Sequence, residues 1–288
     1  MSGGKYMNGT GRRYAAADTF YYLFITIVLV LISALCAAYA MRDPEPAPSG
    51  AAVSAAESES KKKECAVAVS ENDTSAILSE TEDAGSEYLN SIIFLGDSTT
   101  YGLKCYRMLN GGRETTQVWT PASGTLTLSA ALYTNIVYPE TGTEMPVREA
   151  VLRKRPPIMI ITLGINGISF MDETYFKASY TALIQEIQQA SPDTVIILQS
   201  IFPVARSYTD HPKINNPSIR EANGWIMDLA DACGVFYLDT ASALADSEGF
   251  LPENYHNGDG MHLNEVSFAV ELEYIRCHAA GGTDKNEE

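Results

Sequence analysis

The chain reads as an α/β domain on a mostly parallel sheet covered by helices on both faces. Three observations predict this fold. Short apolar runs alternate with helix-like segments between about Tyr88 and Ala280. Their spacing is that of strand-helix units in a parallel sheet. Residue types that carry chemistry follow directly after several of the runs, as expected of an open sheet that gathers ligands at the carboxyl ends of its strands.

In chain order, strand-like runs occur at Ile92–Leu95, around Gln117–Trp119, and at Ile158–Leu163, Thr194–Gln199 and Val235–Leu238. Pro146–Lys154 reads as a helix, and Glu173–Ala190 as a long one with apolar residues at helical spacing. Ser218–Ala232 is a third, opened by Pro217-Ser218. Asn264 is a good N-cap for a fourth over Glu265–Arg276. No internal repeat is evident.

The first run continues as Ile92-Ile93-Phe94-Leu95-Gly96-Asp97-Ser98-Thr99, which puts a serine hydroxyl where a buried strand leaves the sheet. A serine becomes a nucleophile only beside a base. Asp259-Gly260-Met261-His262 offers one, since three-residue spacing lets a single turn present carboxylate and imidazole to the same point. The chain has four histidines. His256 has Glu253 three residues before it and could form a competing pair, but Pro252–Tyr255 reads as a loop without a glycine-supported turn. His262 follows the flexible Gly258-Asp259-Gly260 and is the preferred base, with His256 dispensable for the chemistry. His211 and His278 read as solvated surface.

Two further motifs lie between these ends, Thr162-Leu163-Gly164-Ile165-Asn166 and Pro121-Ala122-Ser123-Gly124-Thr125. With them the chain resembles the SGNH (GDSL-type) hydrolases, specifically a membrane-anchored bacterial member, over roughly Ser91 to Ala279. The resemblance implies a three-layer α/β/α, flavodoxin-like fold with five strands. It also implies a Ser98, His262, Asp259 triad, with the Ser98 N–H, the Gly124 N–H and the Asn166 amide forming the oxyanion hole. Family members often carry Asp after the block asparagine, where this chain has Gly167.

Outside that region the sequence reads as delivery and tether. Residues 1–18 precede an uncharged, apolar stretch at 19–41, long enough to span a bilayer core of about 20 residues. Lys5, Arg12 and Arg13 lie before it, so the positive-inside rule leaves the N-terminus in the cytoplasm and the domain outside. An uncleaved anchor is preferred because the stretch exceeds the roughly 7 to 15 residues of a signal core. Cleavage after Ala38-Tyr39-Ala40 would also export the domain. Residues 42–87 are rich in Ala, Ser, Glu and Pro and are expected to form a disordered stalk, leaving a hydrolase domain at 88–280 and a disordered tail at 281–288.

A formal charge of −16 excludes nucleic acid as a natural partner and weighs against a polyanionic substrate. Five cysteines form no disulfide framework; Cys105, Cys233 and Cys277 read as small core residues, with one bridge left open. Neither a metal-ligand pattern nor a need for any cofactor is visible. The loop from Phe202 to Tyr208, extended by the polar segment to Pro217, should overhang the site, with Tyr101, Trp119, Phe170 and Tyr175 as possible walls. No large apolar lid stands out, which favours short acyl groups. The expected activity is removal of an acetyl group from an envelope or secreted carbohydrate, or from another small ester. An O-acyltransferase of the same fold and a non-catalytic glycan-binding module are the alternatives.

Overall fold

The structure, a computed structural model, describes residues 76–281. The expected span at 19–41, most of the stalk and the tail from 282 lie outside these residues. Among the described residues no helix is long and apolar enough to cross a membrane.

Five strands, β1 (Ile92–Gly96), β2 (Val118–Trp119), β5 (Ile158–Thr162), β6 (Val195–Gln199) and β7 (Phe236–Leu238), each lie within a residue or two of a predicted run. They form one parallel sheet in the order β2-β1-β5-β6-β7. Every residue of β1 and β5 is buried, which is why these strands read as continuous apolar runs. β1 and β5 pair in register, with Gly96 opposite Thr162 at their carboxyl ends.

Alternate residues of each strand face opposite layers. Ile93, Leu95, Met159 and Ile161 pack with α3 (Val147–Lys154), α4 (Glu173–Ala190) and α5 (Asn216–Cys233). Ile92, Phe94, Ile158 and Ile160 pack with α2 (Ser98–Cys105), α6 (Thr240–Leu244) and α7 (Glu265–Arg276). Four helices, α2, α4, α5 and α7, start where a side chain accepts from one of their unpartnered first amides. Asp172 accepts from Tyr175 N at the start of α4. Asn264 and Ser267 form a reciprocal capping box at α7. α5 begins at Asn216, two residues before the expected start, because Asn215 is the cap and Pro217 occupies the first turn, where its missing N–H costs nothing.

Two features were not anticipated. β3 (Asn135–Tyr138) and β4 (Thr143–Pro146) form an antiparallel hairpin, joined to the β2 end by Val137 N–H donating to the Thr120 carbonyl. Residues 76–87, assigned from composition to the stalk, are instead packed on the domain. Tyr237 N donates to Ala76 O, Leu78 N to Tyr237 O and Thr81 N to Cys277 O, and the short helix α1 (Gly85–Asn90) follows. Backbone pairing secures this stretch, and backbone pairing is invisible in an acidic composition.

Candidate active site

The site is built from segments that leave the carboxyl ends of β1 and β5, together with the turn before α7. Gly96 closes β1. A Cβ there would lie 2.1 Å from Thr100 Oγ1 and 2.6 Å from the Thr162 carbonyl oxygen, so only glycine lets α2 start against β5. Asp97 caps α2, its Oδ1 accepting from the Thr99 N–H at 2.9 Å and the Thr99 hydroxyl at 2.7 Å. Its Oδ2 accepts from the Asn166 amide at 3.4 Å, which brings Asn166 to the residue beside Ser98. Burial raises the Asp97 carboxyl to about 6, against the opposing pull of the Thr99 bonds and of His262.

Ser98 opens α2, where a backbone N–H has no partner within the helix and the helix dipole favours negative charge. Its Oγ lies 2.8 Å from His262 Nε2. On the far side of the ring, His262 Nδ1 lies 2.6 Å from Asp259 Oδ2. Asp259 Oδ1 accepts from the Met261 N–H at 2.8 Å and the His262 N–H at 2.9 Å, so the turn that presents the imidazole also fixes the carboxylate. Burial pushes the Asp259 carboxyl up, but those two amides and the His262 ring outweigh it and hold the group below its usual range. It is therefore ionised at neutral pH.

The turn has a support that sequence reasoning passed over. His256 is not a rival base. Its Nδ1 accepts from the Gly258 and Gly260 N–H groups, both at 3.0 Å, and its Nε2 lies 3.0 Å from Glu253 Oε2. A ring nitrogen that accepts carries no proton, so the proton sits on Nε2 and is donated to Glu253. Glu253 Oε2 also accepts from the Ser207 hydroxyl at 2.8 Å, and Ala205 N–H donates to Gly260 O at 2.8 Å. The loop after β6 thus straps the turn. Gly260 has φ +81°, and a Cβ on it would come within 2.9 Å of Tyr208, so this contact requires glycine.

His256→Ala leaves two amides without their acceptor, and a misplacement of about 1 Å at a reacting group can cost 10²-fold. We expect turnover to fall about tenfold to hundredfold with little change in KM. His256→Asn, whose Oδ1 can take the place of Nδ1, should recover part of the loss, and His256→Gln should not. Turnover of a chromogenic ester, read beside thermal melting, checks this; an alanine variant with wild-type turnover would remove the role.

Asn166 leaves a tight turn in which Gly167 N–H donates to Gly164 O at 2.7 Å. Asn166→Ala should lower turnover by about 10² to 10³ at unchanged KM, the usual effect of losing one oxyanion donor. A large rise in KM at normal turnover would make Asn166 a ground-state contact instead. Gly124 is the exception among the expected donors. Its N–H donates to Pro121 O at 2.8 Å, and its open α-carbon face lies against the Tyr101 ring, where a Cβ would come within 3.0 Å. Here Gly124 closes a turn and makes room for Tyr101.

Ser98, His262, Tyr101, Tyr106, Arg113 and Asn257 are among the residues lining one open cleft of ≈ 390 Å³. Of the expected aromatic walls only Tyr101 lies here. Trp119 is buried in the core, and Tyr175 lines a separate recess with Leu132 and Tyr133. Phe170 is exposed. Cys105, Cys233 and Cys277 are all free thiols, and Cys105 is exposed on the cleft rather than in the core. Among the described residues no group of acidic, histidine or cysteine side chains is arranged to hold a metal.

The profile of the GDSL-like lipase/acylhydrolase family matches residues 94–267, which takes in both ends of this site. No curated protein matches the chain. Solved structures do. A protein provisionally described as a platelet activating factor from Streptococcus pneumonia is 21% identical, over 68% of this chain and 91% of its own, with a TM-score of 0.48. A family two carbohydrate esterase from Clostridium thermocellum is 15% identical over 64% of this chain and 61% of its own, with a TM-score of 0.44. The periplasmic domain of a lipopolysaccharide acetyltransferase from Salmonella ser. Paratyphi A is 18% identical over 64% and 82%, with a TM-score of 0.44. At these identities the likeness is one of fold.

Proposed function

The chain belongs to the GDSL-like lipase/acylhydrolase family, and from that premise we propose that it is an exported, membrane-anchored serine esterase that removes short O-acyl groups, acetyl above all, from a carbohydrate. The relay of Ser98 Oγ, His262 and Asp259 at 2.8 and 2.6 Å carries this reading. Ser98 Oγ attacks the ester carbonyl while His262 Nε2 takes its proton. Asp259 holds the Nδ1 proton and stabilises the imidazolium. Negative charge on the tetrahedral oxygen falls to the Ser98 N–H and the Asn166 amide. His262 then returns the proton to the departing alcohol, and a water activated in the same way releases the acid.

The cleft supports a polar alcohol, with Tyr101, Tyr106 and Asn257 offering flat faces and an amide on an open wall. The uncharged stretch at 19–41 with its basic N-terminal flank supports anchoring with the domain outside.

A fragment from Ser70 onward, which keeps the packed residues 76–87, should hydrolyse a chromogenic acetyl ester and lose activity steeply with acyl length. Preference for long chains would replace the carbohydrate esterase with a lipase. Protease added to intact cells should release an active fragment by cutting upstream of Ala76. Protection of the domain until lysis would place it in the cytoplasm and withdraw the envelope substrate.

A further inference from the structure

The chain is strongly acidic, with 36 carboxylate residues against 20 lysines and arginines. Beside the serine this balance reverses. Between Asp97 and Glu114 there is no carboxylate, and the stretch carries Lys104, Arg107 and Arg113. Among the described residues, cations elsewhere are mostly paired, as in Arg148 with Glu186, Lys177 with Asp228 and Arg276 with Asp83. Lys104, Arg107 and Arg113 are in no ion pair with any described residue. Arg155, Lys213 and Arg220 are also unpaired, but none of them lines a cavity with Ser98.

Their placement is specific. Arg113 lines the cleft that holds Ser98 and His262. Lys104 lines the neighbouring recess of ≈ 120 Å³, and the Tyr101 ring borders both spaces. Arg107 occupies the left-handed position after α2, at φ 60°, where Arg107 N–H and Met108 N–H donate back to Lys104 O and Leu103 O. That position is usually glycine, and a side chain there costs about 1 to 2 kcal/mol. The Arg107 stem then lies over Gly112, whose added Cβ would meet its Cβ at 3.5 Å and its Cγ at 3.7 Å, directly beside Arg113. The nearest carboxylates do not neutralise the group. Asp97 is buried under Thr99 and Asn166, and Asp259 is committed to His262. Glu114 is the single exposed acid in the adjoining turn.

We propose that the alcohol portion of the substrate is anionic, a sugar bearing a carboxylate or phosphate, with the sugar ring against Tyr101 and Tyr106 and its anion on Arg113 and Arg107. Lys104 extends the positive field to a neighbouring sugar. The inference rests on Ser98 as the hydrolytic centre. The overall charge, which weighs against a polyanionic substrate, is a property of the whole surface; substrate meets the local field.

The test compares kcat/KM of the full chain on three substrates: an O-acetylated hexuronic acid oligomer, its neutral hexose counterpart and an O-acetylated sugar phosphate. Charged sugars should be preferred about tenfold or more at low ionic strength, with the preference shrinking as salt screens it. The uronate and phosphate arms decide which anion fits. Arg113→Glu combined with Arg107→Glu should abolish the preference, while Arg220→Ala, on α5 and away from the cleft, should keep it. A ratio near one in the wild type, or a preference that survives both charge reversals, overturns the proposal. Titration of Ser98→Ala with the deacetylated hexuronate oligomer separates the two claims. Salt-sensitive binding lost on charge reversal supports the anion site even if no ester is hydrolysed, and absence of binding counts against it even if Ser98 proves to be the nucleophile.

Discussion

Ser98→Ala is expected to lower ester turnover by about 10⁵- to 10⁶-fold and to leave thermal stability close to wild type, because in the proposed mechanism the hydroxyl is the attacking atom, and it contributes nothing to the core. Groups that act as a unit lose activity together, so His262→Ala should fall by a similar factor and the double variant hardly further. Single-turnover assays with a chromogenic acetyl ester check this. Two independent losses that multiplied would mean that the 2.8 Å contact between Ser98 Oγ and His262 Nε2 is not the working one.

Asp259→Asn is expected to cost about 10⁴ in turnover, the usual result of forcing the wrong imidazole tautomer. The surroundings leave the substituted side chain little choice. One oxygen of Asp259 already accepts from the Met261 and His262 amides, so an asparagine keeps its oxygen there and turns its NH₂ toward His262 Nδ1. Nδ1 must then accept, and Nε2 carries a proton aimed at Ser98 and cannot take another. Because the Asp259 carboxyl lies below its ordinary range, the wild-type relay should lose its carboxylate only as pH falls through that depressed value. The asparagine variant should be defective across the neutral range. A loss of only a few-fold at pH 7 would show that the carboxylate is not required for the tautomer.

Much of this fold was legible because burial leaves a mark on composition. β1 and β5 have water on neither face and read as unbroken apolar runs, and α4 and α7 occupy the predicted residues because Asp172 and Asn264 are real caps. The β3–β4 hairpin was not legible. Of Thr143-Glu144-Met145-Pro146 only Met145 is buried, too little to stand out from a loop. Nor was α2, whose Thr99, Thr100 and Gly102 are poor helix formers. Phe268 explains the glycine, since a Cβ on Gly102 would lie 2.4 Å from that ring.

At the site, Ser98, Asp259 and His262 could be paired in advance because a nucleophile, a base and a carboxylate are distinct residue types. The work of His256 could not. Glu253 and His256 look from sequence like a second acid-base pair, and only the two amides converging on Nδ1 show the ring supporting the turn that carries His262. Gly124 illustrates the opposite limit. Its residue type suits both an oxyanion donor and a tight turn, and the geometry assigns its N–H to Pro121.

The central claim is that Ser98 forms the covalent acyl-enzyme with His262 as its base. Treatment with a fluorophosphonate, followed by peptide mass spectrometry, tests it most directly. One adduct is expected, on Ser98, formed at wild-type rate in the Arg220→Ala protein and at a rate slowed by orders of magnitude in His262→Ala. An adduct on any other residue, or labelling of Ser98 at an equal rate without His262, would contradict it.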